Sequence, residues 1–256
     1  MLNLEVIGLF ELSLLQWVMV VFCAIFIGFA KTGVASLGIL VVTVLMYVFP
    51  AKESVGILLP MLIVGDIFAV IYYRRDVVWK FLFSLVPWVL IGILAGYFVL
   101  DQVNSEQLKP LIGGLVLALI VLHVIREKLG DKFNEMLPSS RWFTILMGVL
   151  AGFTTMVGNA AGGVMAIYLL VKGLPKREFV GTGAWFFLFV NVIKVPFYIH
   201  LGLITFESVT FNLWLVPTII IGAFIGIKVL KLIPQNVFQA LVLIFAAIGA
   251  LRLLFV

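Results

Sequence analysis

The chain has 256 residues, 64% of them hydrophobic and 11% charged, with a formal net charge of +5. With a mean hydropathy of +1.28, this balance exceeds what a soluble domain covers with a polar surface, and no stretch is left for an aqueous catalytic domain. The positive charge is scattered in short clusters, so it reads as membrane topology and attraction for anions; a nucleic-acid binder would gather it on one solvated face.

Apolar runs bounded by charge and by Pro/Gly clusters predict helical segments at 12–29, 35–49, 54–73, 80–100 and 108–126, then at 142–156, 160–172, 179–199, 209–228 and 236–255. The start carries Glu5 and Glu11 and no Lys or Arg, so it lacks the basic region of a secretory signal, and the first segment is expected to be retained. A shift of about 125 residues places Gly33, Gly38, Pro50, Glu53, Gly56 and Tyr73 on Gly158, Gly163, Pro175, Glu178, Gly181 and Tyr198. A few residues of slippage then place Pro87, Gly92 and Gly96 on Pro217, Gly222 and Gly226. The expected fold is an all-α polytopic membrane protein of two inverted-topology repeats, each of about five helical segments, the first pair in each forming a short or broken hairpin. Residues 1–126 form the first repeat, 127–141 a cytoplasmic linker and 142–256 the second, inverted repeat.

Loop charges give an independent prediction of orientation. Arg74, Arg75 and Lys80, the linker residues Arg126, Lys128, Lys132 and Arg141, then Lys172, Lys176 and Arg177, and finally Lys228 and Lys231 all fall on one side if both termini lie outside. The loops around Asp101 and Glu106 and from His200 to Glu207 fall on the other side. Trp17, Trp79, Trp142 and Trp214 stand near segment ends, as interfacial aromatics do. The hairpins are too long for one crossing and short for two, so re-entrant and crossing forms both remain open.

Polar residues interrupt the apolar pattern in few places. The breaks from Gly28 and from Gly152 hold Lys31, Thr32 and Ser36, and Thr154, Thr155 and Asn159. Helix ends meeting there would aim N–H groups and positive dipoles at a shared volume suited to an anion, with Lys31 adding charge and the hydroxyls and amide donating hydrogen bonds. Against this stands plain close packing of small residues, with Lys31 snorkelling from a helix end. Asp66 lies well inside its segment, aligned by the repeat with Asn191, and Lys194 follows one turn later. Such residues are costly in a membrane, and either a static ion pair or a working site keeps them there: Asp66 as carrier of a coupling proton, Asn191 and Lys194 as anion ligands. Trp185 and Tyr168 are candidates to line the same cavity or to pack. His123 and His200 lack the spacing of a metal site, and the lone Cys23 permits neither an internal disulfide nor a thiolate cluster; no metal or cofactor is expected.

The stretches GFAKTGVASLGILVVTVLMYVFPAKESVGILLP and LAGFTTMVGNAAGGVMAIYLLVKGLPKREFVGTGAWF, each followed by P-(x)4-G-(x)3-G from Pro87 and Pro217, resemble the TauE/SafE family, named for sulfite export. Where that family commonly has three glycines and a nearby proline at each break, Lys-Thr-Gly and Asn-Ala-Ala-Gly-Gly stand here. The resemblance implies outward movement of sulfite, a sulfonate or a related sulfur anion across a bacterial inner membrane. The expected function is therefore a secondary transporter, not an enzyme, working by alternating access at a midplane site, with the lipid bilayer and a small anion as partners and a proton as possible coupling ion. An anion channel, a carboxylate carrier and a noncatalytic membrane subunit are the alternatives. No H-E-x-x-H, G-x-S-x-G or P-loop motif supports an intramembrane enzyme or a nucleotide-driven pump.

Overall fold

The computed structural model describes residues 12–32, 48–104 and 141–234, with single positions between 41 and 45, 106 and 121, and 237 and 251. The described residues form seven helices: α1 (Leu14–Thr32), α2 (Ala51–Tyr73), α3 (Trp79–Gln102), α4 (Arg141–Gly158), α5 (Ala161–Val171), α6 (Lys176–His200) and α7 (Phe206–Leu232). All but α5 are long and apolar enough to cross a membrane, and no strand occurs among the described residues. The chain is a polytopic helical membrane protein. Helices α2 and α6 begin three residues earlier than the apolar pattern predicts, because Pro50 and Pro175 hold extended backbone just ahead of them and serve as caps. The predicted segments at 35–49, 108–126 and 236–255 fall largely outside the described residues, as does the linker before Arg141.

The helices pack in matched pairs. Helix α1 lies against α7, α3 against α4, and α2 against α6. The first two pairs are parallel: Trp17 meets Phe211 near the starts of α1 and α7, while Gly28 meets Ile219 and Ala223 further along. Helices α3 and α4 repeat the arrangement. A methyl group on Gly28 would strike the Ile219 carbonyl and one on Gly222 the Ile25 carbonyl; on Gly152 and Gly92 it would strike the carbonyls of Val89 and Val149. Lipid supplies no hydrophobic drive for helices to associate, so backbones brought together at glycine are a principal source of contact energy.

Two tyrosines show how the halves correspond. Tyr73 donates to the Thr32 carbonyl, 41 residues back, and Tyr198 to the Met156 carbonyl, 42 residues back. The α2 and α6 positions thus follow the alignment of Tyr73 with Tyr198, while α1 and α4 correspond in a register one residue different, in which Gly28 matches Gly152 and Lys31 matches Thr155.

The basic loops converge on one end of the bundle. Arg177 pairs with Asp76 at 3.1 Å, Lys176 donates to the Ile233 carbonyl at 2.7 Å, and Lys172 stands over the Phe81 ring. Partial burial and the neighbouring Lys80 both lower the pKa of Lys172. At the far end Tyr97 meets His200, and Gly56 lies against Leu203. Because α7 ends at the basic end and α1 runs parallel to it, Lys31 and Thr32 point toward that end. Helices α4 and α5 form a hairpin whose two feet, marked by the stacked rings of Phe143 and Tyr168, stand at the basic end while its tip at Asn159 points away. With 11 residues, α5 is about 16 Å long, about half the bilayer's hydrocarbon thickness.

Replacing Gly28 or Gly222 with alanine is expected to cost about 1–3 kcal/mol through overpacking. Thermal unfolding of the purified protein should show a lowered Tm for each, and no loss for Gly114→Ala, where none of the described residues lies within 4 Å of the added methyl.

Candidate functional site

The site forms where α2 and α6 cross, and it begins with a carboxylate that has no access to solvent. Asp66 on α2 is 0% exposed. Its Oδ1 lies 2.8 Å from the Lys31 ammonium, and its Oδ2 accepts a 2.7 Å hydrogen bond from the Asn191 side-chain amide. The partners are 125 residues apart, the spacing of the sequence repeat, so positions matched in the two halves touch each other. An ionised carboxylate only accepts, which requires Asn191 to present its NH₂ group and leaves its Oδ1 buried without a partner among the described residues. Lys31 occupies the last turn of α1, where a cation is favoured by the helix dipole, and stands 4.2 Å above the centre of the Phe187 ring.

Lys194, one turn beyond Asn191 on α6, is equally buried. Its ammonium donates to the Thr155 carbonyl at 2.9 Å, the Thr155 hydroxyl at 3.0 Å and Asn159 Oδ1. Three donors meet three neutral acceptors. The acceptors are presented by the end of α4. Asn159 takes a left-handed φ of 53°, a conformation that asparagine tolerates better than most residues, and its N–H closes the helix on the Thr155 carbonyl at 3.0 Å. The Asn159 amide also reaches across to the Val55 carbonyl of α2 at 3.0 Å. Lys194 thereby ties α6 to the hairpin tip, and the tip is tied to α2.

The structure brings Lys31, Asp66, Asn191, Lys194, Thr155 and Asn159 into one connected cluster. It gives Asp66 to Lys31 and not to Lys194. Thr32 and Thr154 stand apart from the cluster chemically: the Thr32 hydroxyl is shared between the Gly28 and Ala223 carbonyls, and that of Thr154 bonds Leu150. Both hydroxyls serve helix packing here. Ser36 and His123 lie outside the described residues. Trp185 packs near Trp79, and Tyr168 bonds Ser84 and the Phe81 carbonyl; neither is among the residues lining the crevice beside Lys31. That crevice is bounded by Gly162, Met165, Ala166, Gly183 and Phe187 and holds about 10 Å³, roughly the space of one water. Phe187 and Tyr198 were not legible as site residues, because one phenylalanine among 23 and a tyrosine read as a repeat marker carry no separate signal. Among the described residues no three His, Cys, Asp or Glu side chains gather as metal ligands.

Two buried lysines, Lys31 and Lys194, and one buried carboxylate, Asp66, are the ionisable groups of the cluster. A buried cluster of two lysines, a carboxylate and two amides, at a helix crossing inside a bundle of membrane-crossing helices, is costly to keep in a bilayer unless it serves passage of a polar solute. The chain matches the family described as sulfite exporter TauE/SafE over residues 20–253, nearly its whole length, and it belongs to that family of transporters. No curated protein and no solved structure matches it.

Removing one member of a buried ion pair costs about 3–5 kcal/mol because the other is left uncompensated. Asp66→Asn and Lys31→Met should each lower the Tm strongly, and the Lys31→Met/Asp66→Asn double variant should recover part of the loss; additive losses would mean that the two charges are not coupled. Lys194→Met should cost about 1–3 kcal/mol per acceptor left buried and unpaired, read as a reduced Tm alongside unchanged expression of the helix-packing control Gly114→Ala.

Proposed function

We propose that this transporter exports small sulfur-containing anions, sulfite or sulfonates, from a bacterial cytoplasm by alternating access between two inverted repeats spanning 1–126 and 142–256. The observation that carries the reading is the composition of the buried cluster: Lys31 pairs with Asp66 while Lys194 bonds neutral oxygens of Thr155 and Asn159, so with both amines protonated one more anion completes neutrality at the helix crossing. The parallel pairs α1 with α7 and α4 with α3, and the opposite pointing of the Lys31 and Asn159 ends, support inversion of the repeats. Gathering of Arg74, Arg75, Lys172, Lys176, Arg177 and Lys231 at one end supports a cytoplasmic assignment for that end, with both termini outside.

The mechanism follows from the competition for Lys31. The crevice beside it is too small for a sulfur oxyanion, so loading requires the α4–α5 hairpin or α1 to shift. An arriving anion takes over Lys31, and Asp66, then facing only Asn191 and the Lys194 charge, accepts a proton. Proton and anion loading are thereby coupled, so the two move together, outward when the anion's own gradient is steep enough, and rocking of the two halves exposes the site to the other side.

Two measurements test this. Purified protein should gain thermal stability from sulfite, thiosulfate, taurine or sulfoacetate and less from matched carboxylates. In proteoliposomes an imposed pH gradient should drive uphill movement of the anion, whereas Asp66→Asn should keep exchange and lose the response to pH. Downhill flux alone, indifferent to pH in the native protein, would point to a channel.

A further inference from the structure

A second group of cations, sharing no residue with the buried cluster, lies in a cavity of about 180 Å³ at the basic end, lined by Tyr72, Tyr73, Lys176, Arg177 and Lys231. Three helices supply it: the end of α2, the start of α6 and the end of α7. The cations are already arranged. Lys176 is held by the Ile233 carbonyl, Arg177 by Asp76, and Lys231 rests 5.7 Å from the Tyr72 ring centre. Among the described residues Asp76 is the carboxylate that pairs with them, through Arg177. Pro175 caps α6 without a side-chain hydrogen bond, and the first helical bond is that of Phe179, so the amides of the first turn, which also carries Glu178, face the same end.

The surroundings of the cavity are apolar. Ile71, next to Tyr72, is 62% exposed, and Leu232, next to Lys231, is 81% exposed. A strongly cationic pocket bordered by bare aliphatic side chains at the end of membrane-spanning helices matches a molecule with an anionic head and hydrocarbon tails. We propose that this cavity binds the phosphate headgroup of an anionic lipid, with Lys231 and Arg177 contacting the phosphate and the flanks of α2 and α7 receiving the acyl chains. The site is independent of the transported anion, and neither reading depends on the other.

The full-length protein in detergent would be titrated with phosphatidylglycerol, with phosphatidylcholine and with inorganic phosphate while thermal unfolding is followed. Phosphatidylglycerol should raise the Tm in a saturable way and phosphatidylcholine should not. Arg177→Ala/Lys231→Ala should weaken the apparent affinity at least tenfold, and Arg74→Ala/Arg75→Ala, with the same loss of charge outside the cavity, should leave it within twofold. Lys231→Gln, a change at an exposed position, should weaken it severalfold and serves if the double variant does not fold. Equal stabilisation by phosphatidylcholine, equal weakening in the Arg74/Arg75 control, or full reproduction of the effect by inorganic phosphate would each overturn the lipid assignment.

Discussion

The contact between Asp66 and its two partners is the constraint around which the rest of this protein is organised. A carboxylate in the low-dielectric interior of a helical bundle loses its hydration, and only a close cation and a fixed hydrogen-bond donor restore an acceptable energy. Lys31 supplies the first from the end of α1 and Asn191 the second from α6. Three helices are therefore held in one geometry by one side chain. Since α1 is bound along its length to α7, and α6 packs against α2 with its Lys194 bonded to the end of α4, that geometry extends to both halves.

The two lysines are held by different chemistry, and the difference has mechanistic weight. Lys194 is satisfied by neutral oxygens that are rigidly presented at a helix end, whereas Lys31 depends on a charge that protonation can remove. In the register that the hydrogen bonds of Tyr73 and Tyr198 give α1 and α4, one residue different from that of the tyrosines themselves, Lys31 corresponds to Thr155, the residue that accepts from Lys194. The end of α1 thus carries a charged residue where the end of α4 carries a neutral polar one. Under the proposed mechanism the titratable half responds to protons and the neutral half holds a standing positive charge for the anion.

Most of the fold was legible in the sequence. Apolar runs located the membrane helices, and Gly92, Gly96, Gly222 and Gly226, which stood out in the sequence as matched positions, lie at close helix contacts, because approach of helix backbones in lipid demands small residues at fixed places. The basic loops were legible for a similar reason: charge is confined to helix ends by the cost of burying it. The site was legible in part. Asp66, Asn191 and Lys194 stood out as polar residues inside apolar segments, and Lys31, Thr155 and Asn159 as members of the helix breaks. Thr32 and Thr154 looked equivalent to Thr155 on the page, yet their hydroxyls bond carbonyls of packed helices, since a threonine inside a helix has backbone acceptors one turn back within reach.

By itself the sequence determined class, helix content and the set of residues too polar for their surroundings, since hydropathy and repeat spacing are properties of the chain read one segment at a time. Only the tertiary structure decided that Asp66 belongs to Lys31 and not to Lys194, that Lys194 clasps the hairpin tip, and that Phe187 covers the Lys31 ammonium. Those pairings depend on the crossing of α2 and α6 and on a register one residue different between α1 and α4. An ammonium group's partner is fixed by distances of a few ångströms between helices far apart in sequence, and no one-dimensional pattern carries that information.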